Sequence, residues 1–297
     1  MKINEPVLYD LDVVLESDEV RNNRKMNYSP LNDFLFKRYM GNEEVSKYFI
    51  DAILDNFDFR KTEDFRIIQN TFMKSTQDEK MMIVDFMAED ETNRKFIVEM
   101  QRQNEKCFKR RANAYLDRRV LESIDKYGYE NINMHFLISI VDFKFCQDGT
   151  YDHNIYKRDR TNSNCKITDI PQIIVLDLVK FRNKKNRNKI DLNNPLHQIM
   201  VFFNKNTLKE EFKEVILMTP QVKLAHTIAQ NALETPEDIS QYKYIEGRIQ
   251  SYKNELKYRE EEGRKEGRKE GKEEEKRSFA LNLKNKDFDI ELISELT

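Results

Sequence analysis

Three cysteines, almost no net charge and the absence of any long apolar run set the first limits. Cys107, Cys146 and Cys165 are odd in number and far apart. That excludes a disulfide framework and the paired-cysteine spacing of a zinc ribbon, and the three read as reduced thiols. His135, His153, His197 and His226 show no two-histidine spacing on a helix face, so a zinc enzyme is not expected. No apolar stretch approaches the ~18 residues that a membrane span requires. Asp10 and Asp12 interrupt the apolar N-terminal residues, unlike a signal peptide, so the expected location is cytoplasmic, with no membrane partner. Charged residues make up 35% of the 297, yet the net charge is only -2. Any attraction to a polyanion must therefore come from local patches. The length allows one large domain or two ordinary ones, with a real core.

What the chain does carry is a hairpin pattern between Met81 and Gln101. Met81–Ala88 is apolar except for Asp85, and Phe96–Gln101 is apolar except for Glu99 and Gln101. The wholly polar stretch Glu89–Lys95 between them reads as the turn. In a strand, residues two apart share a face, so Ile97, Glu99 and Gln101 line one side of the second strand. If the turn is centred on Thr92, Asp85 stands directly opposite Glu99. Two like charges that close in an apolar setting need neutralising. A divalent cation would do it; so would a Lys or Arg partner for one acid, or a slipped register that turns one of them to solvent. Gln101, a further polar group on the Glu99 face, favours a site.

Around this hairpin the pattern is ordered. Residues 1–28 have no clear period and read as an arm. Ser29 and Pro30 resemble an N-cap and a first helical position, and Gly41 a helix stop. Asn42 then caps a helix whose stripe is Val45, Tyr48, Phe49, Ala52 and Ile53. Phe65–Phe72 reads as a first strand. After the hairpin, Glu105–Lys126 is a helix with Phe108, Ala112, Tyr115, Leu116, Val120 and Ile124 on one stripe. From Arg102 to Arg119 there are seven basic residues (Arg102, Lys106, Lys109, Arg110, Arg111, Arg118 and Arg119) against two acids. These form either a solvated face or a phosphate-contacting one. Met134–Val141 is apolar throughout, as in a buried central strand. Residues 147–166 read as a loop or short ribbon, and Ile173–Val179 as another strand. Lys180–Lys189 then carries six basic residues in ten, among them Lys184, Lys185 and Arg187, again open to either reading. From Asn194 the periodicity is helical. Arg259–Arg277 combines eight acids and eight bases with Gly263, Gly267 and Gly271 four apart; it reads as a charged helical linker rather than a coiled coil, since no apolar seam accompanies the glycines.

Asp85 followed by Glu99-Met100-Gln101 on the next strand resembles the PD-(D/E)XK nuclease superfamily, in its branch of recombination-promoting nucleases and transposase-like proteins. Asp33-Phe34-Leu35-Phe36-Lys37, Arg111-Ala112-Asn113-Ala114-Tyr115, Leu176-Asp177-Leu178-Val179-Lys180-Phe181 and the Glu/Gly/Lys/Arg repeat resemble it too, in the same order. The resemblance implies an α/β fold: a restriction-endonuclease-like mixed central sheet flanked by helices, in residues 29–193. A helical lobe (194–256) and a charged helical tail (257–297) would follow. It implies a Mg2+-dependent endonuclease acting on DNA, with Mn2+ or Ca2+ as alternatives. Asp85, Glu99 and the Met100 carbonyl would hold the metal, and Gln101 would stand where the wider superfamily has lysine. Asp33, Glu43 or Glu44 would be a further acid near the metal, against the plainer reading of a solvated acid in a first helical turn. Phosphate contacts would come from Arg102, Lys106, Lys109, Arg110, Arg111, Lys184, Lys185 and Arg187, and a homo-oligomer is allowed for. The alternative is a catalytically inactive, nuclease-derived DNA-binding or assembly protein.

Overall fold

The computed structural model describes residues 28–69, 71–72, 82–105, 107–158, 166–183, 186, 188–204, 207–286 and 289–296. Two helices come first, α1 (Asp33–Met40) and α2 (Glu43–Asn56). The cap of α1 is Asn32, whose side chain accepts from the Phe34 N–H, not Ser29. A side-chain acceptor two residues before an amide satisfies one of the orphan N–H groups, which a serine three residues further back cannot reach. Asn42 caps α2 through the Val45 N–H, as expected.

Strands β1 (Arg66–Ile67) and β2 (Thr71–Phe72) replace the single strand expected at Phe65–Phe72. They belong to different sheets: β1 pairs with β4 (Phe86–Glu89), while β2 pairs with β3 (Met82–Ile83). The first hairpin strand is likewise broken, at Val84 and Asp85, because its two ends serve two sheets. Then come β5 (Lys95–Gln101), α3 (Phe108–Tyr127), β6 (His135–Val141), β7 (Asp152–Arg158), β8 (Lys166–Asp177) and a one-turn helix α4 (Leu178–Phe181). The ribbon β7 stands where the alternatives were a loop or a ribbon.

The main sheet has six strands in the order β1-β4-β5-β6-β8-β7. β5, β6 and β8 run parallel to their neighbours in that trio, and the outer pairings are antiparallel. Parallel neighbours need a crossover, and α3 supplies the one between β5 and β6. Its stripe Phe108, Ala112, Tyr115 and Leu116 packs on Met87, Ile97, Leu137, Val141 and Val175, which share one face of the sheet, and on Val84 in the break before β4. By strand alternation Phe86, Phe96, Phe136, Ile138 and Ile174 belong to the opposite face, where Phe59, just after α2, meets Phe136 edge-on at 5.0 Å.

Helices α5 (Pro195–Phe203) and α7 (Pro220–Asn231) pack with α1 and α2, and α6 (Lys209–Met218) packs on α5 and α7. Phe202 and Phe203 lie among Tyr39 and Phe49 at centroid distances of 5.5–6.3 Å. The compact unit that holds the sheet ends at Lys243, within the long helix α8 (Pro236–Lys284). A second unit, Tyr244–Thr297, contains the charged Gly263–Gly271 stretch, which is helical and exposed throughout, and a short α9 (Ile290–Leu296).

Candidate active site

The hairpin register is the one that symmetry about Thr92 requires: Phe86 faces Val98, Met87 faces Ile97, Ala88 faces Phe96 and Glu89 faces Lys95. The ladder ends at that Phe86–Val98 pair. Continued by one residue it would set Asp85 opposite Glu99, and there the chain bends. The Met100 N–H instead donates to Asp85 Oδ2 at 2.9 Å, and the Asp85 N–H reaches Glu99 Oε1 at 3.4 Å. A side-chain carboxylate has taken the place of a main-chain acceptor, which fixes Asp85 against the strand that carries the other acid.

Glu99 is 4% exposed, whereas Asp85 and Gln101 are half-buried at the open end of the strand. The Gln101 side chain hydrogen-bonds Glu99. Burial pushes the Glu99 carboxyl up to about 8, with the Asp85 charge adding to it, and burial likewise pushes Asp85 up to about 6. Two cations oppose this. Arg111, on the first turn of α3, lowers both acids, and Lys37 on α1 lowers Asp85. Arg111 is held by Glu105 Oε2 at 2.8 Å, and Lys37 by Asp33 Oδ2 at 3.0 Å. The Asp33 charge also reaches Asp85, raising it. Glu44, by contrast, accepts from Gln221. Tyr115, one turn beyond Arg111, donates to the Ile83 carbonyl at 3.4 Å and feels the charge of both acids.

Beside Glu99 in the next strand lies Ser139, its register partner, 1% exposed and with no hydrogen-bond partner for its hydroxyl among the described residues. Two carboxylates that resist ionisation, a buried hydroxyl oxygen and an amide form a set of hard oxygen donors. That set fits a divalent cation of the magnesium class and does not suit a soft metal.

Among the residues expected to touch phosphate, Lys109 places its ammonium 4.3 Å from the Phe145 ring centre, and Arg110 is exposed on α3. Arg102 is half-buried just past β5. Lys106, Lys184, Lys185 and Arg187 lie outside the described residues. Two features escaped the sequence. One is the bend, hidden inside an unbroken apolar run. The other is a polar group past the ends of β6 and β8, where Arg182 binds Asp142 at 2.6 Å and Asp177 accepts from the Phe145 and Lys180 N–H groups.

A mixed sheet with helices on both faces, carrying an acid pair on a bent hairpin, defines a nuclease-like α/β core of the restriction-endonuclease type. The family model of the PD-(D/E)XK nuclease family transposases matches residues 30–259, and the chain belongs to that family. No curated protein and no solved structure matches it. No helix among the described residues is long and apolar enough to cross a membrane.

Proposed function

We propose that this chain is a metal-dependent endonuclease that hydrolyses phosphodiester bonds in DNA, in the service of recombination or transposition, and that it works in the cytoplasm. The observation that carries the reading is the pairing of Asp85 with Glu99, locked by the Met100 N–H and joined by Gln101. Asp85, Glu99 and the Met100 carbonyl would hold a divalent cation, Mg2+ with Mn2+ or Ca2+ as substitutes. The carbonyl leaves β5 on the side where the Met100 N–H meets Asp85, as strand geometry requires. Such a cation, when bound, lowers the pKa of water and offsets negative charge on the phosphate. The protein's own groups do the rest. Gln101 can orient a water through its amide but brings no charge. Arg111, the cation that lowers both acids, and the basic face of α3 would hold the phosphodiester against the sheet end. Lys184, Lys185 and Arg187 would extend that contact.

Incubating supercoiled plasmid with purified protein and Mg2+ should nick it, and Asp85→Asn or Glu99→Gln should abolish the nicking. Equal cutting by wild type and variants would reject the assignment. One observation favours the second reading, an inactive DNA-binding or assembly protein: the position two residues after Glu99 is uncharged. That reading predicts salt-sensitive DNA binding that persists without metal and without any cleavage.

A further inference from the structure

Register across the sheet sets His153 opposite Val175, Val175 opposite Ser139 and Ser139 opposite Glu99. His153 therefore shares the α3 face with the acid pair but stands three strands away, roughly 14 Å at the usual strand spacing. Beside it is a second convergence of ligating atoms. Cys146 Sγ, one Asp148 carboxylate oxygen and a His153 ring nitrogen all lie within 4.8 Å of one another. We propose that Cys146, Asp148 and His153 form a second cation site for a borderline ion of the zinc class, one that clips the loop after β6 to the edge strand β7. It is independent of the nuclease reading.

The donor set speaks for the ion. Sulfur, imidazole nitrogen and carboxylate oxygen together suit zinc, whereas magnesium takes oxygen alone. Around a tetrahedral zinc, neighbouring donors stand about 3.5 Å apart. The three groups therefore need only a small contraction, with water completing the shell.

A cation already occupies the place. Lys180, 4% exposed, directs its ammonium onto Asp148 Oδ1 at 2.5 Å and lies 3.4 Å from His153 Nε2. The same ammonium stands 3.9 Å from the buried Asp177 Oδ2, and a divalent ion would compete with it for Asp148 and His153. The frame is firm. Asp177 Oδ2 accepts the Phe145 N–H at 2.8 Å, and the Asp177 N–H is bound by the Tyr151 carbonyl at 2.7 Å. Asn186 holds the Gly149 carbonyl at 3.0 Å, and the Phe145 ring lies 5.9 Å from that of His153. The loop is thus pinned on both sides of Asp148 before any ion arrives. Binding would release the Cys146 proton to solvent and displace the Lys180 ammonium from Asp148.

Cobalt(II) titrated into the full-length, metal-free protein provides the probe, because a thiolate ligand gives cobalt a near-ultraviolet charge-transfer band that oxygen donors do not. One equivalent should produce the band; zinc should remove it and excess magnesium should leave it. Cys146→Ser should abolish the band and weaken zinc binding at least tenfold. Lys180→Met, which removes the competing ammonium, should tighten zinc binding several-fold, and Asp85→Asn should change neither. The proposal fails if no band forms, if the band survives in Cys146→Ser, or if Lys180→Met binds zinc no more tightly than wild type.

Discussion

Met100 donates its main-chain N–H to Asp85 Oδ2 at 2.9 Å, so the strand that carries Glu99 also fixes the other acid. One consequence is electrostatic. The two carboxyls cannot move apart to relieve their repulsion, and burial raises both.

Stability of the metal-free protein should therefore depend on pH in a definite direction. The folded-state values, about 6 for Asp85 and about 8 for Glu99, lie above the ordinary values of 3.8 and 4.5. Between about pH 4 and about pH 8 the folded state then holds more protons than the unfolded one, so stability falls as pH rises through that window. Glu99→Gln removes most of the effect. Melting curves in chelator should show the wild type losing several degrees between about pH 5 and about pH 8, at about 2 °C per kcal/mol for a chain of this size. The variant should lose much less. A wild-type curve flat across that range would contradict the buried pair.

Arg111 should set the acid limb of the reaction. Its charge lowers both carboxyls, so Arg111→Met lets both rise further and leaves fewer molecules with the pair ionised near neutral pH. Nicking by Arg111→Met should drop at neutral pH and recover in part at higher pH, the acid limb of the pH–rate profile moving upward. A uniform loss at every pH, with the limb in place, would mean that Arg111 only grips the substrate.

Much of this geometry was legible in the sequence because strand alternation has a period of two. Once a polar turn is centred on Thr92, the register follows, and with it the meeting of Asp85 and Glu99. The bend at Val84 and Asp85 was not legible, since Met82, Ile83, Val84 and Phe86 look like one apolar strand whether they serve one sheet or two. Strand β7 is ambiguous in the sequence for the opposite reason. Asp152-His153-Asn154-Ile155-Tyr156-Lys157-Arg158 is a polar edge strand with little alternation to read. Cys146, Asp148 and His153 lie close in sequence but match no common ligand spacing, and it is the folding of the loop between β6 and β7 that makes their side chains converge.

The turn that sets the register is itself held by a buried ion pair, which makes it a sensitive point. Asp90, 2% exposed, accepts from the Thr92 N–H and hydroxyl and from the Arg94 N–H and guanidinium at 2.7–3.1 Å. Arg94 in turn donates to the Arg60 and Lys61 carbonyls. Asp90→Ala would leave a guanidinium at 12% exposure without its partner, a change that typically costs roughly 3–5 kcal/mol. Urea unfolding should show a lower midpoint with an unchanged slope. A loss under about 1 kcal/mol would show that the turn draws little from this pair.

The basic face of α3 offers a test of substrate contact that does not depend on catalysis. Lys109 is fixed over the Phe145 ring at 4.3 Å and Arg110 is exposed beside it. Both project from the helix that follows the acid pair. A cation that neutralises one phosphate releases condensed counterions, so removing it lowers the slope of log affinity against log salt by about 1 while weakening binding to every sequence alike. Asp85→Asn, which on the proposed function should bind DNA without cutting it, provides the background. In that background Lys109→Ala and Arg110→Ala should each reduce the slope by about that amount, and the double variant by about twice as much. If the slope stays constant while affinity falls, these side chains touch sugars or bases, or only support the helix, and the phosphate path runs elsewhere on the sheet.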